Sequence, residues 1–154
     1  MSQKNKRKTS TSELKKIVVN TDGGSRGNPG PSAIGVVIAT PKGEVLKEYG
    51  QKLDDLLTNN EAEYEAVIFA LKKTLELLGK RKAKKAELEV NVGSELICKQ
   101  VGREYKIKKA HLQKLFIQVQ DLKQEFKSVN LKLVPREQNE EADALVNEAL
   151  DSEK

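Results

Sequence analysis

Three acidic residues, far apart in the sequence, lie where a sheet protein gathers its functional groups. Asp22 follows the apolar run 17–19, and Glu63 and Asp143 lie in the first turns of two predicted helices. Because strand ends and helix starts meet at one edge of an α/β sheet, we predict that these carboxylates converge. A cluster of like charges is destabilising unless a hard cation neutralises it, and carboxylate oxygens are suitable ligands for such a cation.

The stretch that follows Asp22 is rich in glycine and proline: residues 21–31 read Thr-Asp-Gly-Gly-Ser-Arg-Gly-Asn-Pro-Gly-Pro. If the strand ends at Asp22, the turn would let a bulky anion approach bare backbone amides while a metal ion lies between the anion and the carboxylate. Asp-Gly between two apolar runs is also a hairpin signal, with residues 34–38 as the second strand. On this stretch alone the hairpin is favoured, and both interpretations can hold together.

The two helical acids also have structural explanations. Asn60 and Glu63 have the spacing of a capping box, and Asp143 lies where the positive end of a helix dipole favours any carboxylate. Taken singly, each acid is better explained in this way. Three acids at converging chain ends, beside a bare turn and amide side chains, favour a cation site instead.

Size and composition point to one domain with its own core. The chain has 154 residues, of which 37% are hydrophobic, and its net charge of +5 makes a polyanionic partner plausible without requiring one. The single cysteine, Cys98, excludes an internal disulfide and a cysteine-rich zinc site. No apolar stretch is long enough to span a membrane and no secretion signal is apparent, so we expect a soluble, cytoplasmic protein.

The hydrophobic pattern predicts a basic disordered arm over residues 1–14 and a folded domain over residues 15–151. The predicted strands are residues 17–20, 34–40, 44–52, 86–92 and 129–134. The predicted helices are residues 60–78, a short one capped by Ser94 and ending near 101, 110–126 and 139–150. Their order indicates an α/β fold: a five-stranded mixed sheet, with three antiparallel strands followed by two parallel ones, flanked by helices.

Four motifs in this order resemble those of type 1 ribonuclease H, in particular its short bacterial and archaeal forms. They are the stretch 21–31, Thr-Asn-Asn-Glu-Ala-Glu-Tyr at 58–64, Gly-Ser-Glu-Leu-Ile at 93–97 and Pro-Arg-Glu-Gln-Asn-Glu-Glu-Ala-Asp-Ala-Leu at 135–145. The resemblance covers residues 16–150. It implies the ribonuclease H-like fold and a two-metal endoribonuclease that uses Mg²⁺, or Mn²⁺ in its place, to cut the RNA strand of RNA/DNA hybrids.

The resemblance assigns the metal ligands and catalytic acids to Asp22, Glu63 and Asp143, with Asp22 bridging both ions. The family's fourth carboxylate is the Asp of an Asp-Ser-x-Leu motif, and Gly93 stands at that position here. We therefore expect hybrid binding to survive and cleavage to be severely slowed. Glu95, two residues on, is expected to point elsewhere. The alternative function is a module that binds RNA/DNA hybrid or double-stranded RNA without cutting it. A third, less well supported alternative is a protein-interaction domain.

The resemblance also implies contacts to the minor groove of the hybrid, from Gly23, Asn28, Asn59, Asn60, Ser94 and Glu95. Many relatives carry a mobile His in the loop before the last helix; here Glu137 could take that place, and His111 is predicted to be a surface residue. A short basic link, with Arg103, Lys106, Lys108 and Lys109, either grips phosphates or is a solvated charge run. We expect a monomer with RNA/DNA hybrid as its partner and no association with membranes.

Overall fold

A computed structural model describes residues 15–102 and 106–152. They form a five-stranded sheet with helices on both faces, which confirms the predicted fold class. The strands are β1 (Lys16–Ser25), β2 (Gly30–Ala39), β3 (Val45–Leu57), β4 (Glu87–Val92) and β5 (Ser128–Leu133). The helices are α1 (Asn59–Leu78), α2 (Lys80–Ala83), α3 (Glu95–Val101), α4 (Ala110–Lys123) and α5 (Glu140–Asp151), with a 3-10 turn at Arg136–Asn139. The predicted basic arm and Arg103 lie outside the described residues.

The strand order in the sheet is β3-β2-β1-β4-β5. As predicted, β1, β2 and β3 are antiparallel neighbours, while β4 runs parallel to β1 and β5 runs parallel to β4. The parallel pairing of β1 with β4 ends at Asn20 and Asn91, but the antiparallel pairing of β1 with β2 continues to Ser25. The last part of β1 therefore extends beyond the parallel half of the sheet.

This extension corrects one prediction. Asp22 does not end the first strand, because β1 continues through Gly23 and Gly24 to Ser25. The hairpin interpretation is confirmed, but its turn lies at residues 26–29 rather than at Asp-Gly. The short apolar run 17–19 marked only the part of the strand that packs in the core, since the later residues are polar or glycine.

The main core lies between one face of the sheet and α1. Alternate residues of β1 and β2 point into it, as expected for strands with one face on a core. The fully buried side chains with the largest volumes include Tyr64, Ile17, Ile34, Ile38, Leu71, Leu88 and Ile97. Helix α4 packs against the outer side of α1, and α5 covers β2 and β3 on the opposite face of the sheet.

Helix α1 begins with a capping box, but not the predicted one. The Thr58 hydroxyl accepts a hydrogen bond from the Glu61 backbone N–H at 3.1 Å, and a Glu61 carboxylate oxygen accepts one from the Thr58 N–H at 2.8 Å. The pairing of Asn60 with Glu63 is therefore wrong, and Glu63 is not needed for capping. The helix ends at Leu78, as predicted, and Gly79, the residue after it, has a φ of +79°.

No helix among residues 15–102 and 106–152 combines the length and apolar composition that crossing a membrane would require.

Candidate functional site

Glycine at position 23 allows α1 to pack directly on β1. A Cβ atom on Gly23 would overlap the carbonyl oxygen of Ala62. Because Ala62 precedes Glu63, this close approach brings the Glu63 side chain to the end of β1 beside Asp22. The glycine is thus required for helix packing and does not form an open turn.

A second glycine has the same role for α5. Gly35 lies opposite Asp22 in the β1–β2 ladder, and a Cβ atom there would overlap the carbonyl oxygen of Ala142. Cross-strand partners point to the same face of a sheet, so the bare Gly35 lets α5 approach the face that carries the Asp22 side chain. The residue after Ala142 is Asp143, which is thereby placed against Asp22.

Asn139 fixes the start of α5 relative to β1. Its side chain is buried, and its Nδ2 donates a hydrogen bond of 2.7 Å to the backbone carbonyl of Thr21, the residue before Asp22. In the sequence, Asn139 marks only the predicted start of a helix. No periodicity distinguishes it from an asparagine in a loop, so its anchoring role is visible only in the structure.

The three predicted acids and the predicted fourth position surround one cavity of about 100 Å³. It is lined by Asp22, Glu63, Gly93, Arg136, Asn139 and Asp143. Acids from β1, α1 and α5 are thus brought together at one edge of the sheet. Arg136, in the 3-10 turn before α5, is a further site residue that was not among the predicted ones.

Burial and neighbouring carboxylates raise the proton affinity of Asp22 and of Glu63. Burial, a hydrogen bond that Asp22 donates to the Asp143 side chain and the negative charge of Asp143 raise the pKa of Asp22 to about 7, against smaller opposing effects of the Gly23 N–H and the Arg136 guanidinium. Burial and the charge of Asp22 raise the pKa of Glu63 to about 8, again opposed by the Gly23 N–H. Such mutually repelling groups bind a proton or a cation readily near neutral pH.

The donor set fits a hard cation that is only partly ligated by protein. Oxygen Oε1 of Glu63 is buried and has no hydrogen-bond partner among the residues that the structure describes, and burying such an atom is costly unless a ligand pairs with it. Within the described part of the chain, however, no three acidic, histidine or cysteine side chains are close enough together to hold an ion unaided. The carboxylates therefore line one cavity without forming a closed cage, and water or phosphate oxygens would complete the coordination of Mg²⁺.

Position 93 is open. A Cβ atom built on Gly93 has no neighbour within 4 Å among the described residues, and its φ is not in the left-handed region. The local backbone therefore does not require glycine here, and a side chain can leave the backbone at the wall of the cavity without a clash at its Cβ.

The turn between β1 and β2 is tied to the start of α1 by two asparagines. The Asn28 side-chain oxygen accepts a hydrogen bond from the Asn59 N–H at 2.9 Å, and the Asn59 side-chain oxygen accepts one from the Ser25 N–H at 3.0 Å. Both amide oxygens are thereby engaged. Their NH₂ groups are the donors left for a ligand at this surface.

The other predicted residues lie around the site. Asn60 is exposed in the first turn of α1, and the Ser94 hydroxyl caps α3 by accepting a hydrogen bond from the Ile97 N–H at 3.2 Å. Glu95 is exposed and does not line the carboxylate cavity, as expected. Glu137 is exposed next to Arg136 and does not line the cavity either, so its role stays a prediction.

His111 does not line the carboxylate cavity. His111 lies at the surface of α4, as predicted, with its Nε2 3.7 Å from a carboxylate oxygen of Glu61. Since Glu61 belongs to the capping box, this contact joins α4 to the first turn of α1.

Comparisons with known proteins agree with this geometry. A family model described as "Reverse transcriptase-like" matches residues 20–149. The chain is 36% identical over 130 residues to ribonuclease HI of Halobacterium salinarum, a match that covers 84% of this chain and 62% of that protein. It is also 36% identical over 137 residues to the bifunctional protein Rv2228c of Mycobacterium tuberculosis; that match covers 89% of this chain but only 36% of the mycobacterial protein.

Among solved structures, LC11-RNase H1 in complex with an RNA/DNA hybrid is 43% identical and superposes with a TM-score of 0.83. The match covers 88% of this chain and 97% of that one. The RNase H1 of Halobacterium salinarum is 34% identical with a TM-score of 0.82, covering 89% of this chain and 98% of the other.

Proposed function

The chain belongs to the ribonuclease H-like family, and from that premise we propose that it is an endoribonuclease that hydrolyses the RNA strand of RNA/DNA hybrids. The observation that carries the proposal is the meeting of Asp22, Glu63 and Asp143 at one cavity. The structure of the similar LC11-RNase H1 with bound RNA/DNA hybrid supports the choice of substrate.

In this proposal the three carboxylates hold divalent ions, Mg²⁺ or Mn²⁺, with Asp22 between Glu63 and Asp143. When bound, a pair of such ions generates hydroxide from water and stabilises the leaving oxygen of the phosphodiester. The protein supplies fixed negative oxygens, and the unpartnered Glu63 Oε1 is one of them. Because burial and neighbouring acids raise the pKa of Asp22 and of Glu63, both groups hold protons near neutral pH. A bound cation would displace these protons.

Arg136 lies at the wall of the same cavity and faces the carboxylates. A guanidinium there balances part of their charge and donates hydrogen bonds to the non-bridging oxygens of a phosphodiester. We assign it the role of orienting the scissile phosphate. This role does not require the mobile histidine that many relatives have in the preceding loop.

Recognition of the hybrid falls, in this proposal, to short polar groups around the site. The NH₂ groups of Asn28 and Asn59 have no hydrogen-bond acceptor among residues 15–102 and 106–152, and they lie at the junction of the β1–β2 turn and α1. Amide donors of this kind can bind a 2′-hydroxyl and so distinguish an RNA strand from DNA. Asn60, Ser94, Glu95 and the backbone of Gly23 complete the proposed contact surface.

Gly93 makes the enzyme slow. The cavity lacks the fourth carboxylate, and within the described residues no three metal-binding side chains converge closely enough to hold an ion unaided. Mg²⁺ with few protein ligands is bound weakly and relies on substrate phosphates. The same observation favours a second candidate function, a module that binds hybrid or double-stranded RNA without cutting it.

A cleavage assay on an end-labelled RNA/DNA hybrid tests the proposal, with matched DNA and RNA duplexes as competitors for binding. We expect slow Mg²⁺- or Mn²⁺-dependent cleavage of the RNA strand, abolished by Asp22→Asn with hybrid binding retained. Tight hybrid binding by the unaltered chain, with no cleavage in either metal, would instead establish the binding module. Absence of both binding and cleavage would refute both candidate functions.

A further inference from the structure

The carboxylate cavity opens into a larger groove of about 310 Å³ that continues along the end of β1. One side is formed by the start of α1 with Asn59, and the other by α5 with Val146, Asn147 and Leu150. At the end away from the carboxylates, the groove is lined by Arg26. The groove is therefore long enough to take more of a ligand than one phosphate at the carboxylates.

Two guanidiniums mark different positions in this groove. Arg136 lines it next to the carboxylates, whereas Arg26 lies in the turn after β1, four residues beyond Asp22, so that its backbone is roughly 13 Å along the chain from that of Asp22 at the rise of an extended strand. A ligand that contacts Arg26 and also reaches the carboxylates must therefore follow the groove. The separation suits an extended anionic chain that lies along the groove.

The Arg26 side chain is held in place by one ion pair, and part of its guanidinium stays accessible to a ligand. Its Nη2 forms an ion pair of 2.7 Å with a carboxylate oxygen of Asp151 at the end of α5, and the Arg26 side chain remains 43% exposed. Its backbone is fixed by the hydrogen bond of its N–H to the Pro31 carbonyl at 2.8 Å. Because a guanidinium has five donors, one ion pair leaves others for a phosphate and orients the group in advance.

We propose that Arg26 binds a backbone phosphate of the RNA strand at a position away from the cleaved bond, and so sets the register of that strand on the carboxylates. This inference rests on the proposed function. The occupant is the RNA strand because the groove is continuous with the carboxylate cavity, so the strand that passes over the carboxylates is the one that enters it.

The competing explanation is that Arg26 only ties the turn to α5 through Asp151, and a pair of variants separates the two. Hybrid binding is measured by fluorescence anisotropy in EDTA, at several salt concentrations, with Arg26→Gln, Arg26→Lys and Asp151→Asn. Loss of one phosphate contact lowers the slope of log K against log salt by about one. We expect that change in Arg26→Gln, with the slope retained in Arg26→Lys and in Asp151→Asn. Equal losses in Arg26→Gln and Asp151→Asn, or no loss in Arg26→Gln, would overturn the inference.

Hybrids with a single uncharged methylphosphonate linkage in the RNA strand locate the contact. For the unaltered chain, one linkage outside the cleaved bond should weaken binding, and Arg26→Gln should show no further loss at that linkage. An additional loss of the same size in Arg26→Gln would contradict the assignment. If the unaltered chain binds no hybrid at all, the proposed function fails and the inference with it; if it binds and Arg26→Gln binds equally well, only the inference fails.

Discussion

The Asp22 carboxyl group lies against that of Asp143 at the edge of the sheet, where burial, a hydrogen bond to Asp143 and the negative charge of Asp143 raise the pKa of Asp22 to about 7. Two carboxyl groups bond directly when they share a proton, so in the absence of a cation this pair holds a proton near neutral pH. The raised pKa of Glu63, about 8, adds a second proton-binding group at the same cavity. Protons and divalent ions therefore compete for the same oxygens.

The first prediction concerns stability without metal as a function of pH. The pKa of Asp22 is raised to about 7 and that of Glu63 to about 8, whereas both groups titrate near 4 in an unfolded chain. Between these values the folded state holds more protons, so the free energy of unfolding falls as pH rises from about 4 to 8 and then levels off. Thermal melts in EDTA across this range measure the effect.

The variants Asp22→Asn and Glu63→Gln remove the like charge and should raise Tm at pH 8 by a few degrees, at roughly 2–4 °C per kcal/mol. At pH 4 they should have little effect. The exposed Glu89 provides the control, because Glu89→Gln should leave the pH profile unchanged. A wild-type Tm that rises from pH 5 to 8 in EDTA would contradict this account of the cavity.

The second prediction concerns Asn139. Replacing it with Ala removes the hydrogen bond to the carbonyl of the buried Thr21, which costs about 1–3 kcal/mol of unfolding free energy. Because α5 also loses its anchor to β1, Asp143 is displaced. The rate of hybrid cleavage should therefore fall by more than the loss of folded protein accounts for. Urea unfolding and cleavage are measured on Asn139→Ala and on the exposed control Asn130→Ala. Equal activities of the two variants would contradict the positioning role.

The third prediction compares two glycines at the site. Gly35→Ala introduces a Cβ that overlaps the Ala142 carbonyl, so α5 must shift and the protein should lose several kcal/mol, as overpacking of a tight contact does. Gly93→Ala meets open space and should change the unfolding free energy by no more than about 0.5 kcal/mol. Chemical denaturation of both variants tests the contrast. Similar losses at the two positions would show that Gly35 does not set the approach of α5.

Much of this arrangement was predictable because its signals are local. The alternating apolar residues of the strands and the helical period of residues 60–78 identify the sheet and its main helix, and the acids at converging chain ends identify Asp22, Glu63 and Asp143. All three line one cavity, together with Gly93.

The errors and omissions arise from tertiary contacts. The extension of β1 to Ser25 depends on pairing with β2 and is not visible in residues 22–25 themselves. Thr58 competes with Asn60 as a helix cap, and only the folded geometry shows that Glu61 completes the box. Asn139 and Arg136 acquire their places from the packing of α5, which no spacing in the sequence encodes.

The fourth prediction concerns the missing carboxylate. Gly93→Asp should fit without strain and add a ligand to the cavity, raising cleavage of the hybrid and affinity for Mg²⁺. Since losing even an outer partner of a metal site costs about 10–100-fold, we expect a gain of at least about tenfold. Initial rates over a Mg²⁺ titration measure it, with Gly93→Asn as the uncharged control. Equal rates for the unaltered chain and Gly93→Asp would show that the site is not limited by this position.

The most direct test of the central claim is a crystal of the unaltered chain soaked in Mn²⁺ and measured at a wavelength where manganese scatters anomalously. The account predicts an anomalous peak beside Asp22, within coordination distance of an oxygen of Glu63 or Asp143. A fully soaked crystal with no peak in this cavity, from a protein that still cleaves the hybrid, would contradict it.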